Sequence, residues 1–164
     1  MFRPLTLHGL ELVPARRRHG RRVSGNAGRL WQITARLGTV PEPLPDRIFH
    51  LAIDADWVGT LSTDGRYRHS TVGRTLADEG FVHCSFAAQL QATADRFYAG
   101  RSDVLLLAID PERLEAPVVV EPAPGNGERF PHVYGPIPVE AVVWAQPVPL
   151  GSDGRLDLEA LLRP

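Results

Sequence analysis

FVHCSFAAQLQATADRFYAGRSDVLLLAID, Phe81 to Asp110, places two apolar runs of strand length around one amphipathic stretch, and its reading decides the fold. In the first run, strand alternation puts Phe81, His83 and Ser85 on one face and Val82 with Cys84 on the other. Ser85 stands where a helix cap is wanted. Beyond it, Phe86, Leu90, Thr93 or Ala94, and Phe97 recur at the spacing of one helical face, with Gly100 fitting the C-terminal cap. Asp103 to Ile109 then reads as a further strand, and Asp110-Pro111 starts a turn.

Upstream, IFHLAI (Ile48 to Ile53) is apolar on both faces apart from His50, which suits a central strand. Asp54 is placed to cap a short helix through Trp57, and Asp64-Gly65 turns the chain into RYRHST. Downstream, Pro117 to Glu121 is a further strand, PAPGNGE a loop, Val139 to Val148 a last strand and Leu156 to Leu162 a short helix. Strands outnumber helices, and several connections are too short for a helical crossover. The expectation is an α+β domain with a mixed or mostly antiparallel sheet and flanking helices. There is no internal repeat and no glycine-rich phosphate fingerprint.

With 164 residues, 43% of them hydrophobic and 23% charged, the chain has material for one core and not for two full domains. The net charge of -1 hides an asymmetry: residues 1–47 carry nine Arg against three acids, and residues 48–164 nine Arg against sixteen. The chain has no Lys, and its excess of Arg, Ala, Gly and Pro suggests a bacterial gene of high GC content. Residues 1–47, with the run ARRRHGRR and the closing PEPLP, read as an Arg-rich, poorly structured extension ahead of a single domain, 48–164. A solvated tail, a start codon assigned too far upstream, and a nucleic-acid-binding arm or transit peptide all fit such a segment. Specific nucleic-acid recognition is not expected, because one basic run lacks interleaved aromatics. Cys84 is the single cysteine, which fits a reducing compartment; no apolar run approaches membrane-spanning length, and a secretory h-region is missing. A cytoplasmic protein is expected, with no membrane partner.

Four segments hold the polar groups suited to chemistry. His83 and Ser85 share a strand face and can meet a ligand together, His83 as donor, acid or base; the alternative is a backbone-bonded histidine and a serine that only caps. Glu121 ends an otherwise apolar strand, where a carboxylate must be solvated or paired, for example with Arg129. RFPHVYG, Arg129 to Gly135, gathers Arg129, His132 and Tyr134 around a cis-capable or kinked proline, in what reads as a turn-rich loop. His50 is either a donor projecting from a central strand or a satisfied core histidine. Metal binding is not expected, since no zinc spacing is present and alternation turns Cys84 away from His83. Cys84 itself reads as a small buried hydrophobe.

IFHLA, DW, GFVHCSFAAQL, RFYAG, LLLAIDPERL, VVVE and FPHVYGPI, in this order, resemble the bacterial domain of unknown function 952 family from Ile48 to about Leu150. The resemblance implies a compact, split sheet related to the ADP-ribosyltransferase fold and a nucleotide-like ligand of the NAD or ADP-ribose type as possible cofactor or substrate. It implies roles for His50 at the ribose and for Glu121 beside a developing oxocarbenium ion, with Tyr67 or Tyr134 as the stacking tyrosine. The chain departs from the family pattern at Val120 and in the loop APGNGER. Three functions follow: a transferase or hydrolase acting on a nucleotide-like or phosphorylated small molecule, a non-catalytic binding module, or an interaction domain. The site residues expected are His50, His83, Glu121 and His132 for catalysis and Tyr67, Ser85, Gln89, Arg129 and Tyr134 for binding. The histidines, Ser85, Glu121 and Tyr134 are expected to line one cleft.

Overall fold

The computed structural model describes residues 43–123 and 127–162. In chain order these form β1 (Ile48–Ile53), α1 (Asp54–Leu61), β2 (Arg66–Tyr67), β3 (His69–Thr71), β4 (Arg74–Thr75), α2 (Leu76–Glu79) and β5 (Val82–His83). There follow α3 (Leu90–Phe97), β6 (Val104–Ile109), β7 (Val118–Pro122), β8 (Arg129–Val133), β9 (Ile137–Pro138), β10 (Val142–Pro147) and α4 (Glu159–Leu162). Short 3-10 turns lie at Ala87–Gln89, Pro111–Arg113 and Val139–Ala141.

Every residue of β6 is buried, as its unbroken apolar sequence requires of a strand covered on both faces. It is the middle of a three-stranded sheet, β1-β6-β10, in which His50 lies opposite Leu107. Alternate residues of β6 feed two cores: Leu105, Leu107 and Ile109 pack with Trp57, Tyr67, Val82 and Val133, while Val104 and Leu106 pack with Leu90, Ala94 and Tyr98. A second three-stranded sheet has the order β5-β8-β7, and β2-β9 and β3-β4 are two-stranded. Every pairing among the described strands is antiparallel. The two larger sheets meet where Phe49 and Ser85 exchange backbone hydrogen bonds of 2.9 and 2.7 Å. The protein is thus α+β with antiparallel sheets and few helices.

Several local expectations need correction. Asp54 is the first residue of α1 and not its cap; Ile53 holds that position without a side-chain bond. Ser85 does not cap the following helix, because its backbone is committed to β1 and its hydroxyl lies 3.3 Å from Thr93 Oγ1. The amphipathic stretch opens as a 3-10 turn, and its buried face runs Leu90, Ala94, Tyr98, which leaves Phe97 half exposed. RFPHVYG is strand through Val133 and not loop, with all its peptide bonds trans. A proline in a middle strand removes a ladder hydrogen bond. Pro131 is tolerated because it stands opposite Cys84, where β5 ends: Cys84 N–H donates to Pro131 C=O at 2.9 Å, after which the chain leaves for β1.

The expected Arg-rich extension lies outside the described residues as far as residue 42, as do residues 124–126 of the expected PAPGNGE loop. Among the described residues no helix is long and apolar enough to cross a membrane.

Candidate functional site

The sheet β5-β8-β7 has one face in the core and one turned outward, and its register decides which side chains share the outer face. His83 pairs with His132, which pairs with Val119, and Phe130 pairs with Glu121. Side chains two apart point the same way, so Phe81, His83, Phe130, His132, Tyr134, Val119 and Glu121 share one face. Val82, Pro131 and Val133, buried almost completely, hold the other face against the core.

On the outer face His132 is packed among aromatic rings, with Phe81 stacked on it at 4.1 Å between centroids and 16° between planes. Its side chain is 8% exposed. Glu121 Oε2 accepts hydrogen bonds from His132 Nδ1 at 2.9 Å and from the Tyr134 hydroxyl at 2.8 Å. Those two donors hold the Glu121 carboxyl below the usual carboxylate range, and the carboxylate in turn holds the Tyr134 phenol up. An ionised carboxylate accepts only, so the Nδ1 proton is on His132 and the Nε2 lone pair is left for other work. No buried side-chain nitrogen or oxygen among the described residues lacks a partner, and Nε2 has no partner among those residues; it therefore reaches the surface. A carboxylate that orients an imidazole and fixes its tautomer leaves the opposite nitrogen as a base.

His83 stands edge-on to His132 with 4.9 Å between ring centroids, and edge-on to Phe81 at 4.7 Å. Its Nε2 lies 3.7 Å from Glu79 Oε2, and Arg74 Nε donates to Glu79 Oε1 at 2.6 Å. Partial burial holds the His83 pKa below its ordinary value, with the neighbouring His132 acting in the same direction and Glu79 against both. Glu79 ends α2, a single turn closed by a capping box between Thr75 and Asp78 and stopped by Gly80 at φ 84°.

His50 lies behind this face, in the core. Its Nδ1 donates to the backbone carbonyl of His83 at 2.7 Å, and its Nε2 accepts from the Tyr67 hydroxyl at 3.1 Å. Burial lowers its pKa from 6.5 to about 4, so the ring is neutral, and burial likewise pushes the Tyr67 phenol up. Both ring nitrogens are used, so the donor role expected of His50 is corrected: it braces the strand that carries His83, and Tyr67 braces His50.

The single expected cleft therefore divides. His83, Glu121, His132 and Tyr134 come together on the outer face; His50 and Tyr67 are buried behind it. Ser85 is turned to Thr93 on α3. Gln89 is a clamp: its oxygen accepts from Phe86 N–H at 2.9 Å, and its amide donates to Arg129 C=O at 2.8 Å and Glu128 at 3.0 Å. Arg129 donates to the Val120 carbonyl and lies near enough to Glu121 to help hold its charge. Cys84 is buried and its thiol pushed up, as a small hydrophobe would be. Among the described residues no cluster of three or more His, Cys, Asp and Glu side chains is arranged to hold a metal.

Phe81, Glu79 and Arg74 were missing from the expected site. The signal for Phe81 was present, since alternation put it beside His83; Glu79, four residues before His83, reaches the face from the separate turn of α2. Tyr134 also borders a shallow cleft of about 420 Å³ lined by Arg66, Arg68, Glu115 and Pro136. Both arginines are paired there, Arg66 with Glu115 at 2.8 Å and Arg68 with Asp64 at 2.7 Å.

Residues 54–145 match the model of a family described as protein of unknown function (DUF952). A crystal structure of protein CC0527 from Caulobacter crescentus is similar at 32% identity and a TM-score of 0.63, over 71% of this chain and 97% of that one. The solution structure of CC0527 is similar at 31% identity and a TM-score of 0.61, over 72% and 97%. No curated protein matches the chain.

Proposed function

This chain belongs to the domain of unknown function 952 family, and from that premise we propose that the outer face of β5-β8-β7 is the site of a small transferase or hydrolase acting on a nucleotide-like or phosphorylated small molecule. The observation that carries the reading is the Glu121–His132 pair, a nearly buried imidazole oriented through Nδ1 with Nε2 turned outward. In this role His132 Nε2 removes a proton from the attacking group, and Glu121 stabilises the imidazolium that forms. Tyr134, 41% exposed, offers a ring on which a base can stack, and the cleft beside it is of a size that suits a small ligand.

A dinucleotide gripped as the fold resemblance implies does not fit these residues. The ribose would need His50, whose nitrogens are both bonded inside the core. The outer face instead favours a ligand lying across Tyr134 and His132.

Thermal-shift measurements on the full chain with nucleotides, ADP-ribose, NAD and phosphate esters, followed by turnover assays on whatever stabilises it, test the reading. With a turned-over ligand, Glu121→Gln is expected to lower kcat by about 100-fold or more with little change in KM. Binding without turnover would make the face a recognition site. If nothing in the panel binds, the proposal fails.

A further inference from the structure

We propose that Arg66 and Arg68, in the cleft beside Tyr134, form a subsite for a phosphomonoester, with Glu115 as the built-in anion that the phosphoryl group displaces. The inference rests on the reading of the outer face as a site for a phosphorylated molecule and names where its phosphoryl group binds. Tyr134 joins the two places. It lines the cleft together with both arginines, and its hydroxyl donates to the carboxylate that orients His132. Its ring lies 5.4 Å from that of Phe81, which stacks on His132 at 4.1 Å, so a ligand anchored in the cleft extends over this aromatic row toward His132.

The geometry of Arg68 carries the argument. A guanidinium has five N–H donors fixed in one plane. Asp64 takes two of them, from Nη1 at 3.0 Å and Nη2 at 2.7 Å, and the Arg66 carbonyl takes the second hydrogen of Nη1 at 2.9 Å. Left over are Nε–H and the outer hydrogen of Nη2, which point the same way and form a second fork. No acceptor among the described residues meets it. Arg101 and Arg155 differ at this point: each spends Nε and Nη2 on one carboxylate, Asp103 and Asp95 respectively. Asp64 thus fixes the plane of Arg68 and leaves free the edge that suits bidentate binding of a phosphate.

Arg66 is held less firmly. Its Nη1 makes a single contact of 2.8 Å with Glu115, whose side chain is 69% exposed. An ion pair so exposed contributes little, and its carboxylate is free to swing away. A phosphomonoester brings about two negative charges at neutral pH and three acceptor oxygens. It can therefore take the open fork of Arg68 and replace Glu115 at Arg66 together. The same two arginines also border a second cleft, of about 350 Å³. That side suits an anion less, because the Thr60 and Thr63 hydroxyls donate to carbonyls of their own helical turn and Asp56 adds a carboxylate, held 3.3 Å from His69.

Titration of the full chain with inorganic phosphate, against sodium chloride of equal ionic strength, with the arginine side-chain NMR signals as readout, tests the subsite. Arg66 and Arg68 are expected to shift together and saturate with phosphate and not with chloride, while Arg101 and Arg155 do not move. Arg68→Lys keeps the charge and loses the fork, and should weaken phosphate binding about tenfold. Glu115→Gln, at an exposed position, removes the competing anion and should tighten binding about two- to fivefold. Binding should persist in Glu121→Gln, whose carboxylate the subsite does not use. A response shared equally with Arg101 and Arg155, or an affinity that neither Arg68→Lys nor Glu115→Gln moves in the stated direction, overturns the proposal. So does an Asp56→Asn variant that tightens binding more than Glu115→Gln does, since it would put the anion in the second cleft. A ligand panel without turnover leaves the phosphate response standing, and a missing phosphate response leaves the Glu121–His132 base standing.

Discussion

His50 shows how one residue can carry a strong sequence signal and serve a different purpose. A lone histidine in IFHLAI is compatible with a ligand donor and with a core bridge. What decides is that β5 runs close enough for its carbonyl at His83 to take Nδ1–H, with Tyr67 completing the other nitrogen. His50→Ala leaves the buried Tyr67 hydroxyl and the His83 carbonyl without partners and opens a cavity, and a loss of about 3 kcal/mol is expected in urea unfolding. The same ring makes stability pH-dependent. Its pKa is lowered from 6.5 to about 4 on folding, so the unfolded chain binds the extra proton. The contribution is present in full above about pH 6.5 and is lost as pH falls toward about 4, on the order of 3 kcal/mol in all. Urea midpoints that do not fall across that window, or that fall equally in His50→Ala, would contradict this account.

At the scale of elements, the site depends on short pieces whose ends are tightly specified. The single turn of α2 is too short to be stable alone. Its capping box and the left-handed Gly80 hold Glu79 in place beside His83. Thr75→Ala is expected to cost about 1 kcal/mol and to raise hydrogen exchange at residues 76–80 while the central strand β6 stays protected. Gly135, two residues past β8, lies against Ala116, two residues before β7: a Cβ there would sit 2.6 Å from the Ala116 Cβ. Gly135→Ala should therefore push the two strands apart, cost about 1–3 kcal/mol, and loosen the neighbouring Tyr134 from Glu121, visible as altered Tyr134 ring chemical shifts. Unchanged shifts would mean that Ala116 yields instead. The order of strands was not legible: IFHLAI, expected as a central strand, stands at the end of the order β1-β6-β10, and VLLLAI takes the middle. Nor was the strand character of RFPHVYG, because a proline argues against a middle strand unless the neighbouring ladder is known to stop there.

For the whole molecule, nearly all of CC0527 is matched by 71% of this chain, so a fold of this kind forms in a chain shorter than the 164 residues here. A chain starting at Pro43 is accordingly expected to unfold at nearly the same denaturant concentration as the full one. A loss of several kcal/mol on that truncation, the size seen when packed core groups are removed, would assign the first 42 residues a structural role. The two cores, divided by the sheet of β1, β6 and β10, give both faces of β6 their cover and set the second sheet's inner face against the first core.

By itself the sequence determined what is local. Alternation of side chains along a strand is a property of the chain's own geometry, so Phe81 and His83 were bound to share a face wherever their strand went. Strand-length runs that outnumber the helical stretches, joined by connections too short for a helical crossover, gave the α+β class on the same local grounds. Only the tertiary structure decided which strands became neighbours and in what register, because that depends on burying valines 82 and 133 together across fifty residues of intervening chain. A shift of one residue would turn His132 inward and separate it from both His83 and Glu121. The same long-range packing put His50 in the core, a placement no run of adjacent residues encodes.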